Sequence, residues 1–473
     1  MAGLLGVAVL LRLASMAWLP LMDTTEARYG EIARKMAVLG DWITPWHGDL
    51  PFWGKPPLSF WLTAGSFKLF GVSEFAARLP HFLCLVAVAV LVWLMAAARS
   101  RRQAWLALAL LASSALFFVS AGAVMTDGAL VVGTTLAMRA FWHHLHRRPG
   151  TASAQWQLFL GLSIGFLAKG PLALVLVGLP VVAWALVRRQ VREVWTSFNW
   201  VIGLAAAVLL VSPWYILAEV KTPGFLEYFL VGEHWHRFMT PGWKGDLYGS
   251  AHRFAPGTIW LFAVAAAFPW SVLMPWVLAS GRKAAPAQQQ LSTEERDWFV
   301  YLACWAIAPL VFFTAARNII WTYVLPALPA MALLVAQWLE RSQKGFRPEK
   351  VAAACLAVTI AGALAAGLKL DRADTLDVKS AKSLVREWQA ERLPDEALVM
   401  VGRQMHSAAF YSNGQAQTVA TLDEAYRILG SGSGYIAVRP SDMRRGNIGQ
   451  ARVVGKFGDH ELLHVAATHE AAR

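Results

Sequence analysis

A polytopic α-helical membrane protein is the fold class this sequence predicts, and three observations carry it. Hydrophobic residues make up 57% of the 473 positions and charged residues only 15%, with a mean hydropathy of +0.44. Apolar runs recur from residue 3 to residue 370, most of them roughly 17 to 25 residues long and able to cross a hydrocarbon core of about 30 Å. Clusters of Lys and Arg separate alternate runs, as cytoplasmic loops do. The formal charge of +13 therefore reads as loop bias, and no nucleic-acid partner is expected.

The runs fall at 3–20, 79–98, 104–121, 127–145, 156–169, 171–187, 200–219, 257–280, 298–315, 318–339 and 351–370. The first has the length of a signal peptide but lacks a basic start and an Ala-x-Ala site, so it reads as a retained span. Arg99, Arg101 and Arg102 follow the second run, and Arg147 and Arg148 the fourth. Arg188, Arg189 and Arg192 follow the sixth, Arg282 and Lys283 the eighth, and Arg341, Lys344, Arg347 and Lys350 the tenth. These clusters share one side if the odd runs cross outward, which predicts a cytoplasmic N-terminus and an outward C-terminus. Cys84, Cys304 and Cys355 lie within apolar runs and read as buried small residues, without disulfide or zinc spacing.

Residues 21–78 form the first long polar stretch. Asp23 and Glu26 come directly after the first run, at the membrane surface. Thr24 or Thr25 is placed to cap a helix in which Glu26, Tyr29, Ala33 and Met36 keep helical spacing, and Gly40 ends it. Trp42, Trp46, Trp53 and Trp61 suit an element lying along the interface. Lys55 then precedes a rigid Pro56-Pro57 turn. After residue 371 the composition becomes more polar. Strands are expected at 398–401, 435–438 and 461–465, with helices near 379–392 and 422–429. The domain division is thus 1–370, a membrane domain, and 371–473, a small extracytoplasmic α/β domain.

The same topology gathers the unusual polar residues on one outer face: loop 21–78, Met125-Thr126-Asp127, Lys169-Gly170-Pro171, loop 220–256, and Arg317-Asn318. Asp23 and Glu26 are either first-turn acids that suit the helix dipole or a general base for an acceptor. Asp127 interrupts an apolar hairpin, as an exposed turn residue or as an acid facing a cavity. Lys169 either snorkels or supplies a cation. Lys55 and Arg237 are candidates for gripping phosphate, and Arg317 is a third cation or only a span end. His234 and His236 either ligate a metal or hydrogen-bond at the interface. Walker, dinucleotide-binding, H-E-x-x-H and G-x-S-x-G patterns are absent from the sequence. Acids and cations at one membrane surface suit chemistry on a lipid-linked phosphate. A flippase or transporter for such a lipid, or a non-catalytic scaffold that binds it, is the rival, but a transporter would more often show repeats and charge at mid-membrane.

Thr25-Glu26-Ala27-Arg28-Tyr29-Gly30-Glu31, Gly40-Asp41-Trp42, Lys55-Pro56-Pro57, Leu69-Phe70-Gly71 and Ala77-Arg78-Leu79 together resemble the first outer loop of a known family. The family is that of aminoarabinose transferase/protein O-mannosyltransferase-like glycosyltransferases. Met125-Thr126-Asp127, Leu167-Ala168-Lys169-Gly170-Pro171, Ser212-Pro213-Trp214-Tyr215, Glu233-His234, Arg237-Phe238 and Tyr323-Val324-Leu325-Pro326 continue the match in order. The resemblance implies the C-type glycosyltransferase (GT-C) fold, with about 11–13 transmembrane helices and a small α/β C-terminal domain. It implies transfer of a sugar from a polyprenyl-phosphate donor to a lipid, lipid A-like or other envelope acceptor at the outer face of the inner membrane. Catalytic roles carry onto Glu26 or Asp23 and onto Asp127. Donor-phosphate binding carries onto Lys55, and the His and Arg of the later outer loop carry onto His234 and Arg237. Beside the resemblance, Lys169 and Arg317 are further candidates for stabilising the departing phosphate, and Arg28, Tyr29 and His234 are substrate-binding candidates. Two departures stand out: Thr25-Glu26 where relatives often have Asp-Glu, and Gly54 where many have Glu before Lys-Pro. The second removes a metal ligand, so no cofactor is assigned and a divalent metal stays an open possibility.

Overall fold

Serine caps and glycine stops mark several of the helix boundaries. The computed structural model describes residues 1–146, 153–240, 243–249, 254–274, 292–341, 347–372, 375–443 and 451–467. Helices α1 (Ala2–Trp18), α2 (Thr25–Leu39), α3 (Leu58–Phe70), α4 (Glu74–Ala97) and α5 (Arg101–Ser113) come first. Ser73 and Ser100 cap α4 and α5 by accepting from the backbone N–H groups of Ala76 and Gln103. Gly40, at φ 69°, closes α2 in the left-handed conformation that lacks a penalty only for glycine. Thr24 holds the N-cap position of α2, yet its side chain makes no capping bond. Trp46–His47 (β1) and Leu50–Pro51 (β2) make a short antiparallel hairpin between α2 and α3.

Helices α6 (Ala115–Ser120), α7 (Asp127–Leu145), α8 (Ala154–Lys169), α9 (Leu172–Arg188), α10 (Val191–Ser197) and α11 (Trp200–Lys221) follow. A π-helical segment, Glu227–His236, runs into α12 (Arg237–Met239), and then come α13 (Thr258–Ala266) and α14 (Thr293–Thr314). A 3₁₀ turn, Trp321–Ala327, leads into α15 (Leu328–Glu340), and α16 is Pro348–Arg372. Among the described residues, five helical segments are long and apolar enough to cross a membrane: α4, α11, α14, the stretch Trp321–Glu340, and Pro348–Leu370 within α16. Helices α1 and α9 are apolar but shorter. By these segments the chain is a multi-pass helical membrane protein.

The run expected at 104–121 is broken at Ser114. Its hydroxyl donates to Leu110 O at 2.8 Å and accepts from Trp270 Nε1 at 3.0 Å, while Ala115 N is drawn to Phe268 O at 2.8 Å. Those bonds replace the helical ladder at this point. The run at 318–339 likewise begins as the 3₁₀ turn. The end of the run at 257–280, and Arg147, Arg148, Arg282, Lys283 and Lys344 of the basic clusters, lie outside the described residues.

Small residues let α7 and α8 touch backbone to backbone. A Cβ on Gly133 would lie 2.5 Å from Gly161 O, and one on Gly161 would lie 2.6 Å from Gly133 O. Gly161 and Gly165 form the small-xxx-small pattern that permits such an approach within a bilayer.

The C-terminal module has α17 (Thr375–Lys379), α18 (Lys382–Glu391), β3 (Leu398–Val401), α19 (His406–Tyr411), β4 (Gln417–Val419), α20 (Leu422–Leu429), β5 (Gly434–Val438), α21 (Pro440–Met443), β6 (Ala451–Phe457) and β7 (His460–Val465). Its sheet runs β4-β3-β5-β7-β6, with β3 parallel to both neighbours and β7 antiparallel to both of its own. The central strands β3 and β5, buried along their length, and the partly buried β7 were legible; the edge strands β4 and β6 were not. β4 is three residues long and mostly exposed, and β6 carries an irregularity between Val453 and Gly455. The module packs on α2, where a Cβ on Gly30 would lie 2.8 Å from Leu21 and 3.6 Å from Phe410.

Gly133→Leu is expected to destabilise the α7–α8 pair by about 2 kcal/mol or more, since backbone faces backbone and cannot yield. Thermal unfolding in detergent checks this, and an unchanged midpoint would rule out the close approach.

Candidate active site

The candidate acids and cations, Arg317 apart, fall into separate clusters around Glu26, Asp23, Asp127 and Glu233. Glu26 projects from the first turn of α2 onto Arg78 of α4. Arg78 Nε donates to Glu26 Oε1 at 2.8 Å and Nη2 to Oε2 at 2.7 Å. Glu26 Oε1 also accepts from Val124 N at 3.3 Å, and Oε2 from Met22 N at 3.2 Å. Both oxygens are thus engaged twice. Arg78, 4% exposed, spends its other N–H groups on Met16 O, Leu19 O and Pro20 O at the end of α1.

Asp23 turns away from Glu26 towards the C-terminal module. Oδ1 accepts from His406 N at 2.8 Å, both oxygens accept from Ser407 N at 3.3 Å, and Ser407 Oγ donates to Oδ2. Burial raises its pKa above the ordinary carboxylate value, against the opposing bonds from Ser407 and His406. The two acids, three residues apart in sequence, do not form a pair.

Asp127 begins α7 and Lys169 ends α8. They form a buried ion pair, Lys169 Nζ donating to Asp127 Oδ1 at 2.7 Å. Among the described residues Asp127 Oδ2 has no hydrogen-bond partner. Lys169 also lies 5.0 Å from the centroid of the Tyr323 ring. Its carbonyl accepts from His234 Nε2 at 3.2 Å, or faces it, while His234 Nδ1 lies 2.7 Å from Phe229 O. Burial lowers the His234 pKa, so the ring favours the neutral form.

Lys55 and Arg237 share one acid, Glu233, which belongs to the matching motif but carried no expected site role. Lys55 Nζ donates to Glu233 Oε2 at 3.0 Å, and Arg237 Nη1 reaches both carboxylate oxygens at 3.1 and 2.9 Å. The Glu233 side chain is 4% exposed. Burial alone would raise its pKa, but Lys55 and Arg237 outweigh burial and hold it below the ordinary value. Burial would likewise lower the pKa of Lys55, and the Glu233 carboxylate reverses that and raises it. Asp246 lies 3.6 Å from Arg237 Nη2, and Tyr228 donates to Glu233 Oε1 at 3.2 Å. Lys55 Nζ also donates to Gly54 O. Arg237 Nε is buried with no acceptor among the described residues. The four-residue spacing of Glu233 and Arg237 was the signal available for this pair.

Arg28 donates to Tyr248 O and lies over the rings of Tyr29 and Phe52, at 5.5 and 5.6 Å. Tyr29 is buried edge-on against Phe52 and Phe60. Arg317 is exposed and joins none of these groups. The residues do not fit a divalent metal at the expected place. Gly54 offers no side chain, both His234 nitrogens face carbonyls, and no cluster of three or more potential ligands occurs among the described residues.

A family profile described as dolichyl-phosphate-mannose-protein mannosyltransferase matches residues 10–229. The chain is 31% identical over 329 residues to an undecaprenyl phosphate-alpha-4-amino-4-deoxy-L-arabinose arabinosyl transferase of Pectobacterium atrosepticum, covering 67% of this chain. It is 32% identical over 324 residues to a protein of the same description from Sodalis glossinidius. The chain belongs to the aminoarabinose transferase/protein O-mannosyltransferase-like family. In both cases the match spans 55% of the relative's own length. The fold is similar to that of ArnT from Cupriavidus metallidurans bound to undecaprenyl phosphate, at TM-score 0.77 and 19% identity, over 98% of this chain and 97% of that one. It is also similar to the archaeal oligosaccharyltransferase AglB from Archaeoglobus fulgidus, at TM-score 0.51 and 11% identity, over 93% of this chain and 69% of that one. The chain therefore has the C-type glycosyltransferase fold expected from its sequence.

Because Glu233 is held below its ordinary pKa of 4.5, its contribution to stability is present above that pH and is lost as pH falls through the lower folded value. Glu233→Gln should melt lower than the wild type at pH 7 and lose less on acidification below that value. Parallel melting curves against pH would contradict the assignment. Arg78→Ala, which strands the Glu26 carboxylate, should cost about 3–5 kcal/mol, measured by unfolding in detergent.

Proposed function

We propose that this chain is a glycosyltransferase that moves a sugar from a polyprenyl-phosphate-linked donor to a lipid, lipid A-like or other cell-envelope acceptor. The site would face the periplasm in a bacterial inner membrane, with the N-terminus in the cytoplasm. The observation that carries this reading is the buried Arg237 Nε, without an acceptor among the described residues, beside a Lys55 ammonium anchored to the same carboxylate. Lys55 uses two of its three N–H bonds on Glu233 and Gly54. Lys55 therefore keeps one N–H, and Arg237 its Nε–H, for phosphate oxygens, and Glu233 fixes where both cations stand.

In the proposed reaction the acceptor oxygen attacks the anomeric carbon and the bond from that carbon to the phosphate oxygen breaks. The electron pair leaves on the polyprenyl phosphate, where Lys55 and Arg237 stabilise the charge. Asp127 takes the acceptor proton on Oδ2, the candidate-acid oxygen not already engaged, while Lys169 holds Oδ1. Glu26 holds the motif position expected of a base, but four donors occupy it, and we assign it to structure. His234, Arg28 and Tyr29 line the surroundings of this cluster and are proposed to shape the substrate site. A pentose or a hexose would serve the same chemistry. A non-catalytic polyprenyl-phosphate-binding protein is the second reading, favoured by the engagement of Asp23, Glu26 and Asp127 with other groups.

Purified protein given radiolabelled polyprenyl-phosphate sugars and a membrane lipid extract tests the proposal. Asp127→Asn should lower transfer by about 100-fold or more with donor binding retained, and Lys55→Ala should weaken donor binding in a folded protein. Tight donor binding without transfer by the wild type would select the second reading. Loss of transfer in Glu26→Gln but not in Asp127→Asn would return the role of base to Glu26.

A further inference from the structure

We propose that Asp23 is a positioning residue: it seats the C-terminal module so that His406 braces the wall behind Lys55, and donor-phosphate affinity depends on that brace. The inference rests on the proposed function above and extends it to a part of the molecule far from Lys55 in sequence.

The contacts form an unbroken series. Asp23 receives the first N–H groups of α19 from His406 and Ser407, and Ser407 Oγ in turn accepts from Ala381 N at 2.9 Å. Asp23 N donates to Lys379 O at 2.7 Å. Asp23 therefore ties α17, α18 and α19 to the start of α2 through its carboxylate and its own N–H. Tyr411, at the other end of α19, accepts from Leu21 N at 2.7 Å and donates to Glu74 Oε1 at 3.1 Å, so the short helix is held at both ends.

So fixed, α19 delivers His406 to His47 of the β1–β2 hairpin, with Nδ1 and Nε2 3.4 Å apart and ring centroids at 4.9 Å. Burial, with Arg28 nearby, keeps both rings neutral, the pKa lowered to about 4 for His47 and about 3 for His406, so one ring N–H can donate to the other. His47 packs against Phe52 and Tyr248 at 6.2 and 6.1 Å. Tyr248 OH accepts from Trp53 N and donates to Pro51 O, each at 2.8 Å, and its ring would be 3.3 Å from a Cβ on Gly54. Lys55 is the next residue. With both Asp23 oxygens committed to the module, a base role for it would require undocking.

The test is polyprenyl phosphate binding by the full chain in four forms: wild type, Asp23→Ala, His47→Ala and the double variant. Each single change should weaken binding by about tenfold, and the double should be little worse than either, because both break the same series of contacts. A change that merely lowered stability would shift the melting point without altering the affinity of the folded fraction, and it would not couple to His47. Should Asp23→Ala fail to fold, Ser407→Ala removes the hydroxyl bonds and should show a smaller loss with the same coupling. Affinities within twofold of the wild type, or additive losses, overturn the inference while leaving the proposed function standing. A wild type that binds no polyprenyl phosphate overturns both.

Discussion

Arg78 buries a fixed charge, and the geometry around it follows from the need to satisfy that charge. An uncompensated guanidinium could not remain in the bundle, so its N–H groups recruit the last carbonyls of α1 and the carboxylate of Glu26. Those carbonyls lack helical donors at the end of α1, and the acid lies in the first turn of α2. One side chain therefore joins three helices at the membrane boundary, and it sets the corner from which the first loop sets out. Val124, three residues before Asp127, bonds to the same carboxylate. The corner thus also fixes where α7 begins.

The remaining charges are arranged as neutralised sets. Asp127 balances Lys169, and Glu233 with Asp246 balances Lys55 with Arg237. Such balance makes burial tolerable in the absence of any ligand. It also leaves specific donors unspent, and a buried donor without an acceptor has a larger incentive to take a phosphate oxygen than one already in water. Binding at this site is therefore better described as completing a network than as filling a pool of positive charge.

The C-terminal module is more than an appendage to the bundle. Its helix α19 rests on α2 and on the start of α4, through Asp23, Leu21 and Glu74. Lys382 pairs with Glu74, adding α18 to the same seam. Polar bonds placed along an otherwise apolar contact fix one orientation of the module among the many that apolar packing alone would permit.

How much of this was legible depends on the range of the interactions involved. Apolar length and the spacing of basic clusters speak to the bundle directly, because a bilayer imposes its thickness on each segment separately. The first-loop helix, its stop at Gly40 and the buried central strands of the module were readable for the same local reason. The break at Ser114 was hidden, since Trp270 and Phe268 enforce it from another segment. The candidate residues were identified by type and by family resemblance, but their partners were not. Asp23 and Glu26 are near neighbours in the chain, yet one faces Ser407 and the other Arg78. Sequence by itself determined the membrane class, most helix bounds and the set of charged residues worth watching. Only tertiary structure decided which acid is spent on architecture and which retains an open oxygen, because an ion pair is chosen by distance in space and not by separation along the chain.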